Sequence, residues 1–108
     1  MSYEMPKCKV TVLKRTLNQD LIDEYLDETH QGTGPCECFQ DGEEFIIDPA
    51  GMPEELLARC PYAWADIRQD ILTVAYGGDM PGMKQPGTLI TGCTDWFRPV
   101  IFKVERVE

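Results

Sequence analysis

The segment Lys7-Cys-Lys-Val-Thr-Val-Leu13 carries the clearest structural signal in the chain. Its apolar and polar side chains alternate, which is the period of a strand with one buried face. The buried positions are predicted to be Cys8, Val10 and Val12. We therefore expect a fold built on a β-sheet, with this segment as its first strand.

Strand and helix signals follow one another along the rest of the chain. The apolar spacing predicts a helix over Leu17–Glu28, begun by a Thr16/Gln19 capping box, with one apolar face made of Leu17, Leu21, Ile22, Tyr25 and Leu26. It also predicts a helix over Pro61–Tyr76 and one helical turn at Pro53–Leu57. Further strands are predicted at Glu44–Asp48, Thr88–Ile90 and Pro99–Val107. Glycine and proline place loops over Thr29–Cys38 and Gly77–Gly87.

This order of elements predicts an α+β fold, a small largely antiparallel sheet with two principal helices packed on it. The chain has 108 residues, enough to bury roughly two thirds of the surface of the unfolded chain around one core. We expect a single domain over residues 1–108, and a homo-oligomer.

Charge distribution narrows the classes of partner. The formal net charge is −9, and residues 20–55 hold twelve acids and no Lys or Arg. A nucleic-acid-binding protein needs a basic surface to displace counterions from phosphates, so we predict no nucleic-acid partner. A solvated surface explains the acidic block more simply than a surface for a cation or a basic partner.

Hydropathy gives no indication of a membrane protein. No apolar run approaches the roughly 18 residues of a transmembrane helix, and Met1–Lys7 lacks the apolar stretch of a signal peptide. We predict a cytoplasmic protein without a membrane partner.

Five cysteines are many for a cytoplasmic chain, where thiols stay reduced. Cys8 lies on the apolar face of the first strand and is predicted to be structural. The other four lie in loops or at the ends of elements. They are Cys36, Cys38, Cys60 and Cys93.

Three interpretations of these four cysteines remain open. They are candidate ligands of zinc or iron, with His30 as a substitute, although their spacing differs from paired C-x-x-C motifs. Cys60 or Cys93 is a candidate catalytic thiol, and Cys60 is the stronger because it precedes the main helix, although no base adjoins it in sequence. The third interpretation is that all four are buried and inert.

A second group of candidates suits a small anionic ligand. Arg98 offers a guanidinium fork beside the apolar wall of Trp96 and Phe97, and Asp95 lies three residues earlier. Each has a simpler alternative, since Asp95 can cap a turn and pair with Arg98. Trp64 and Asp66 of the main helix are further candidates, although Trp64 fits the apolar stripe and Asp66 complements the helix dipole.

The segments Cys60-Pro-Tyr-Ala-Trp64 and Cys93-Thr-Asp-Trp-Phe-Arg-Pro-Val-Ile-Phe-Lys103 resemble two motifs of a family of small uncharacterised prokaryotic proteins. Those motifs have the form Cys-Pro-x-Ala-Trp and Cys-Thr-Asp...Arg-Pro-Val-x-Phe-Lys. The resemblance extends over nearly the whole chain and implies a compact single domain, but no activity. The chain differs in having Gly92 where a second cysteine often occurs and Trp96 where glycine is common.

Taken together, these patterns predict a small binding module whose cysteine-containing pocket takes a small anionic ligand or a metal. A thiol-dependent enzyme using Cys60 or Cys93 is the alternative. A structural partner of another protein is a third possibility.

Overall fold

The computed structural model describes residues 6–107 and has an α+β fold, as predicted. Its strands are β1 (Lys7–Arg15), β2 (Glu44–Ile47), β3 (Thr88–Gly92) and β4 (Val100–Val107). Its helices are α1 (Gln19–Tyr25), α2 (Glu54–Arg59) and α3 (Pro61–Ala75), with a short 3₁₀ turn at Glu28–His30. The strands form one antiparallel sheet in the order β2-β1-β4-β3.

The first strand is central, and its alternation is confirmed. Cys8, Val10 and Val12 are completely buried, while β2 and β4 pair with β1 on either side. The strand extends to Arg15, beyond the predicted end, with an irregularity in register between Val12 and Lys14. Cys8 is structural as expected, and burial raises the pKa of its thiol.

Helix α3 covers one face of the sheet with its apolar side. Pro61 occupies the first turn of the helix. Backbone N–H groups in that turn have no acceptor within the helix, so the absence of an N–H in proline costs no hydrogen bond. Gly77 ends the helix with a positive φ of 94° and donates to the carbonyl oxygen of Val74. The predicted span Pro61–Tyr76 therefore differs from the observed one by a single residue.

Three phenylalanines fill the core between the sheet and the loops. The Phe39 ring meets Phe45 and Phe102 edge to face, with centroids 6.0 and 5.3 Å away, an arrangement favourable to aromatic quadrupoles. Phe39 belongs to the segment that carries Cys36 and Cys38, so this contact anchors that segment against the core.

The first helix is shorter than predicted, and the prediction of its start is wrong. The Thr16 hydroxyl does not cap α1 but donates to the carbonyl oxygen of Pro99 at 2.8 Å, and the residue preceding the helix, Asn18, makes no side-chain cap bond. A tertiary contact thus takes the hydroxyl that a local capping box would use, while the Gln19 side chain donates to Asp23 within the helix. Ile22 is the buried residue of α1, whereas Tyr25, predicted on the buried face, is 72% exposed.

The remaining boundaries differ by a few residues. The predicted single turn at Pro53–Leu57 is the six-residue helix α2, and β3 runs two residues beyond Ile90. Residues 77–87 form neither helix nor strand, in agreement with the predicted surface loop. Of the twelve acids in residues 20–55, only Glu43 is not exposed, which supports the solvated interpretation of the acidic block.

Among residues 6–107, no helix has the length and apolar character needed to cross a bilayer. The segment Met1–Lys7, from which we predict the absence of a signal peptide, lies mostly outside the described residues.

Candidate functional site

Four of the five cysteines line one open pocket of about 350 Å³ at one end of the sheet. Cys36 and Cys38 come from the loop before β2, Cys60 from the junction of α2 and α3, and Cys93 from the end of β3. Cys8 lies in the core and contributes nothing to this lining. The fold thus brings together the four cysteines that the sequence singles out.

The position of Cys60 follows from the proline after it. A residue before proline is disfavoured in the helical region, and Cys60 is extended with φ −161° and ψ 106°. It therefore ends α2 and caps α3, and its Sγ accepts a hydrogen bond from the Ala63 N–H at 3.4 Å. The sulfur is directed to the N-terminal end of a fifteen-residue helix.

Strand pairing positions Cys93. Its backbone N–H donates to the carbonyl oxygen of Val100 at 3.1 Å, and its Sγ accepts from the Val100 N–H at 3.3 Å. The preceding Gly92 permits this close approach, since a Cβ there would lie 2.8 Å from the Val100 carbonyl oxygen.

Two arginines hold the backbone of the cysteine-bearing loop. Arg15 donates to the carbonyl oxygen of Cys36 at 3.2 Å, and Arg59 donates to that of Cys38 at 3.2 Å. Arg59 also makes two hydrogen bonds to the Glu43 carboxylate. Because Arg59 immediately precedes Cys60, its side chain ties the Cys38 loop to the helix junction.

The thiol of Cys38 interacts with two others. Burial raises its pKa to about 11, with further contributions from hydrogen bonding and charge at Cys36 and Cys60. A negative charge on Cys38 is therefore unfavourable in this pocket unless a cation is present.

Carboxylates outnumber cations around the pocket. The Asp66 Oδ2 atom accepts from the backbone N–H and the hydroxyl of Thr94, at 2.8 and 2.9 Å. Asp95 and Arg98 also line the pocket, and the Arg98 Nε donates to the Asp95 Oδ2 atom at 3.2 Å. The side chains of this wall carry two formal negative charges and one positive charge.

Asp95 acts as a turn-forming residue, the simpler of its two predicted roles. Its Oδ1 atom accepts from the backbone N–H groups of Phe97 and Arg98, each at 3.2 Å. An anionic ligand at Arg98 would have to compete with this carboxylate.

The other predicted site residues lie elsewhere. Trp64 packs partly against the core and Trp96 is 67% exposed, and neither lines the pocket. His30 contacts Asp27 through its Nδ1 atom at 2.6 Å and lines a smaller neighbouring pocket of about 170 Å³. His30 is therefore not a substitute ligand in this conformation.

The cysteine pocket is not a preformed metal centre. Among residues 6–107, no three His, Cys, Asp or Glu side chains are grouped closely enough to hold a metal ion. The sulfur atoms share one pocket, but a tetrahedral site requires each of them at about 2.3 Å from the metal. A metal would have to draw them inward.

Sequence reasoning missed several residues of the pocket. Tyr62 and Phe39 contribute to its lining, and Thr94 bonds to Asp66. The Tyr62 side chain is 80% exposed. Its position directly after Pro61, in the first turn of α3, is the sequence signal that would have revealed it. Arg59 is recognisable only from its tertiary contacts.

Comparison with protein-family profiles, with curated proteins and with solved structures finds no match. The resemblance noted in the sequence stays a prediction.

Proposed function

We propose that the protein is a binding module for a thiophilic metal ion, zinc or iron, held by the thiolates of Cys36, Cys38, Cys60 and Cys93. The single observation that carries the proposal is that three separate segments bring these four side chains to one pocket. Thiolate sets of this composition are typical of zinc and iron sites.

Electrostatics favours a cation over the small anion also expected from the sequence. Asp66 and Asp95 outnumber Arg98 in the lining, and Arg98 is already paired with Asp95. A divalent cation would stabilise adjacent thiolates, and its binding releases their protons. Attraction to the metal would offset the burial and the charge repulsion that disfavour a thiolate at Cys38 in the metal-free pocket.

Two of the proposed ligands already have hydrogen-bonded support. The backbone N–H groups of Ala63 and Val100 donate to the sulfur atoms of Cys60 and Cys93. Such outer contacts orient metal ligands and are part of the affinity of a site. Binding would therefore mainly require the side chains of Cys36 and Cys38, of which Cys38 is exposed, to turn towards the metal.

Cobalt(II) titration of the reduced, metal-free protein tests the proposal. We expect sulfur-to-cobalt charge-transfer absorption that saturates near one equivalent and disappears when zinc is added. Cys60→Ser and Cys93→Ser should lose this absorption. Cys8→Ala is the matched control, because Cys8 is a thiol outside the pocket and should be dispensable for binding.

Absence of the charge-transfer band in the folded wild-type protein would overturn the proposal. So would retention of the band in both Cys60→Ser and Cys93→Ser.

A thiol-dependent enzyme is the second candidate, because Cys60 is partly accessible at the start of α3. It predicts that one thiol is alkylated much faster than the others at neutral pH, without any metal. No described histidine lines the pocket to act as its base, which is why the metal module is preferred.

A further inference from the structure

The sheet has a second face, opposite the face that α3 covers. Alternation along the strands directs to it the side chains that lie between the core positions. Ile46 and Ile90 on this face are 58% and 38% exposed, so no layer of residues 6–107 covers it. We call it the open face, and its central residues are Lys9, Thr11, Glu44, Ile46, Ile90, Ile101, Lys103 and Glu105.

The charges at the centre of the open face cancel. The Lys9 Nζ atom lies 3.2 Å from the Glu44 carboxylate and 3.4 Å from that of Glu105. The Lys103 Nζ atom lies 3.3 Å from the same Glu105 carboxylate. Two lysines and two glutamates thus form one connected ion-pair network, which shows that their side chains share this face.

The balance of charge on the open face suits a second copy of the chain. The net charge of the whole chain is −9, so two copies repel each other over most of their surfaces. Lys7 and Lys14, towards the two ends of β1, add no negative charge to the open face. This face is therefore where two copies approach with the least repulsion.

We propose that the open face is the interface of a homodimer, in which two copies pack sheet against sheet about a two-fold axis. Two-fold dimers are the commonest soluble oligomers. Sheets that pack face to face keep their strands roughly aligned, about 10 Å apart. The homo-oligomer expected from the sequence would then be a dimer.

A two-fold axis parallel to the strands makes the open face complementary to itself. β1 and β4 are the two central strands, so an axis between them lays β1 of one copy over β4 of the other. Lys9 and Glu105 are opposite each other in the register of this pair. The rotation therefore brings Lys9 over Glu105 of the second copy, and Glu105 over Lys9 of the second copy.

The size of the open face predicts a weak dimer. Four strands about 4.8 Å apart, about six residues long and rising about 3.3 Å per residue, span on the order of 400 Å². Stable interfaces bury about 800 Å² on each partner. The exposed isoleucines supply apolar area, but the two copies should dissociate reversibly on dilution.

Sedimentation equilibrium from micromolar to millimolar protein measures the dimer. A reductant and a chelator exclude disulfides and metal bridges. We expect wild type to pass reversibly from monomer to dimer, and Lys9→Glu to dimerise at least about tenfold more weakly, because like charges then face each other. Arg68→Glu is the matched control, since it makes the same change of charge at an exposed position of α3, on the other side of the sheet.

A mixture of two variants tests the two-fold arrangement itself. Glu105→Lys should weaken the dimer for the same reason as Lys9→Glu. An equimolar mixture of the two variants should form a heterodimer, because each substituted position then meets an opposite charge on the other copy. Ile46→Thr keeps a β-branched side chain and all the ion pairs, and it should weaken the dimer several-fold even where a charge variant fails to fold.

A wild-type protein that stays monomeric at every concentration would overturn the inference and leave the open face to a different partner. An equal loss of dimer in Arg68→Glu, a mixture without heterodimer, or full dimerisation of Ile46→Thr would also overturn it. These results do not depend on the cysteine pocket. Cobalt binding by a monomer would therefore reject the dimer and leave the metal module intact.

Discussion

The carboxylate of Asp66 accepts two hydrogen bonds from Thr94, one from the backbone N–H at 2.8 Å and one from the hydroxyl at 2.9 Å. Asp66 belongs to α3 and Thr94 follows Cys93. This pair therefore fixes the position of one proposed ligand relative to the helix that carries another.

Asp66→Ala removes both hydrogen bonds and should loosen the segment that carries Cys93. We expect a loss of about 1 kcal/mol in the free energy of unfolding and cobalt binding weaker by about tenfold, measured by urea unfolding and by titration. Thr94→Val is the matched control, because it removes only the hydroxyl bond and should have a smaller effect on both. Unchanged cobalt affinity in Asp66→Ala would show that the pair plays no part in positioning the ligand.

Phe39 is expected to anchor the loop of Cys36 and Cys38 through its contacts with Phe45 and Phe102. Phe39→Ala should lower the free energy of unfolding by about 3–5 kcal/mol, because it leaves a cavity in the core. Phe39→Leu keeps much of the volume and should cost less. Chemical denaturation measures both losses of stability. A loss below about 1 kcal/mol for Phe39→Ala would refute this role, because a cavity of that size in the core costs more.

Gly92 is the tightest backbone position beside the pocket. A Cβ at this residue would meet the Val100 carbonyl oxygen at 2.8 Å, so Gly92→Ala must separate β3 from β4 locally. We expect a loss of about 1–3 kcal/mol in stability, the range of overpacked sites, measured by urea unfolding. Gly34→Ala is the control, since a Cβ at Gly34 would meet nothing within 4 Å beyond its chain neighbours, and it should stay within about 0.5 kcal/mol of wild type. Equal stability of the two variants would contradict the close approach at Gly92.

Alkaline stability should report on Cys38 in the metal-free protein. Its folded-state pKa of about 11 lies above the ordinary value of 9.0, so the folded protein binds this proton more tightly than the unfolded chain. The stabilising contribution is complete below about pH 9 and is lost as the pH rises towards 11.

Cys38→Ser lacks this titration, so the stability of wild type relative to the variant should fall across that interval. Urea unfolding at several pH values between 8 and 11, with a chelator present, measures the difference. Parallel pH profiles for the two proteins would contradict the expected raised pKa.

Sequence periodicity predicted most of the fold because its signals are local. The alternation around Val10 and the Pro61 and Gly77 boundaries of α3 depend on neighbouring residues alone. The start of α1 was predicted wrongly because Thr16 bonds to Pro99, far away in sequence. The prediction of its buried face failed at Tyr25 for a similar reason, since the sheet is covered by α3 instead.

The candidate site was predictable in its residue types but not in its geometry. Unusual positions in loops and at element ends singled out Cys36, Cys38, Cys60 and Cys93. Their convergence depends on the strand order, which places the end of β3 near the α2–α3 junction. The pairing of Asp95 with Arg98 was predictable because Arg98 lies only three positions after Asp95.

The central pairing of β1 with β4 also has a consequence for biosynthesis. A ribosome delivers β1 early and β4 late, so the middle of the sheet cannot close on a partly made chain. Cys93, which precedes β4, emerges well after Cys36, Cys38 and Cys60. A nascent chain therefore exposes these thiols separately, and the pocket that unites them forms only after β4 has left the exit tunnel.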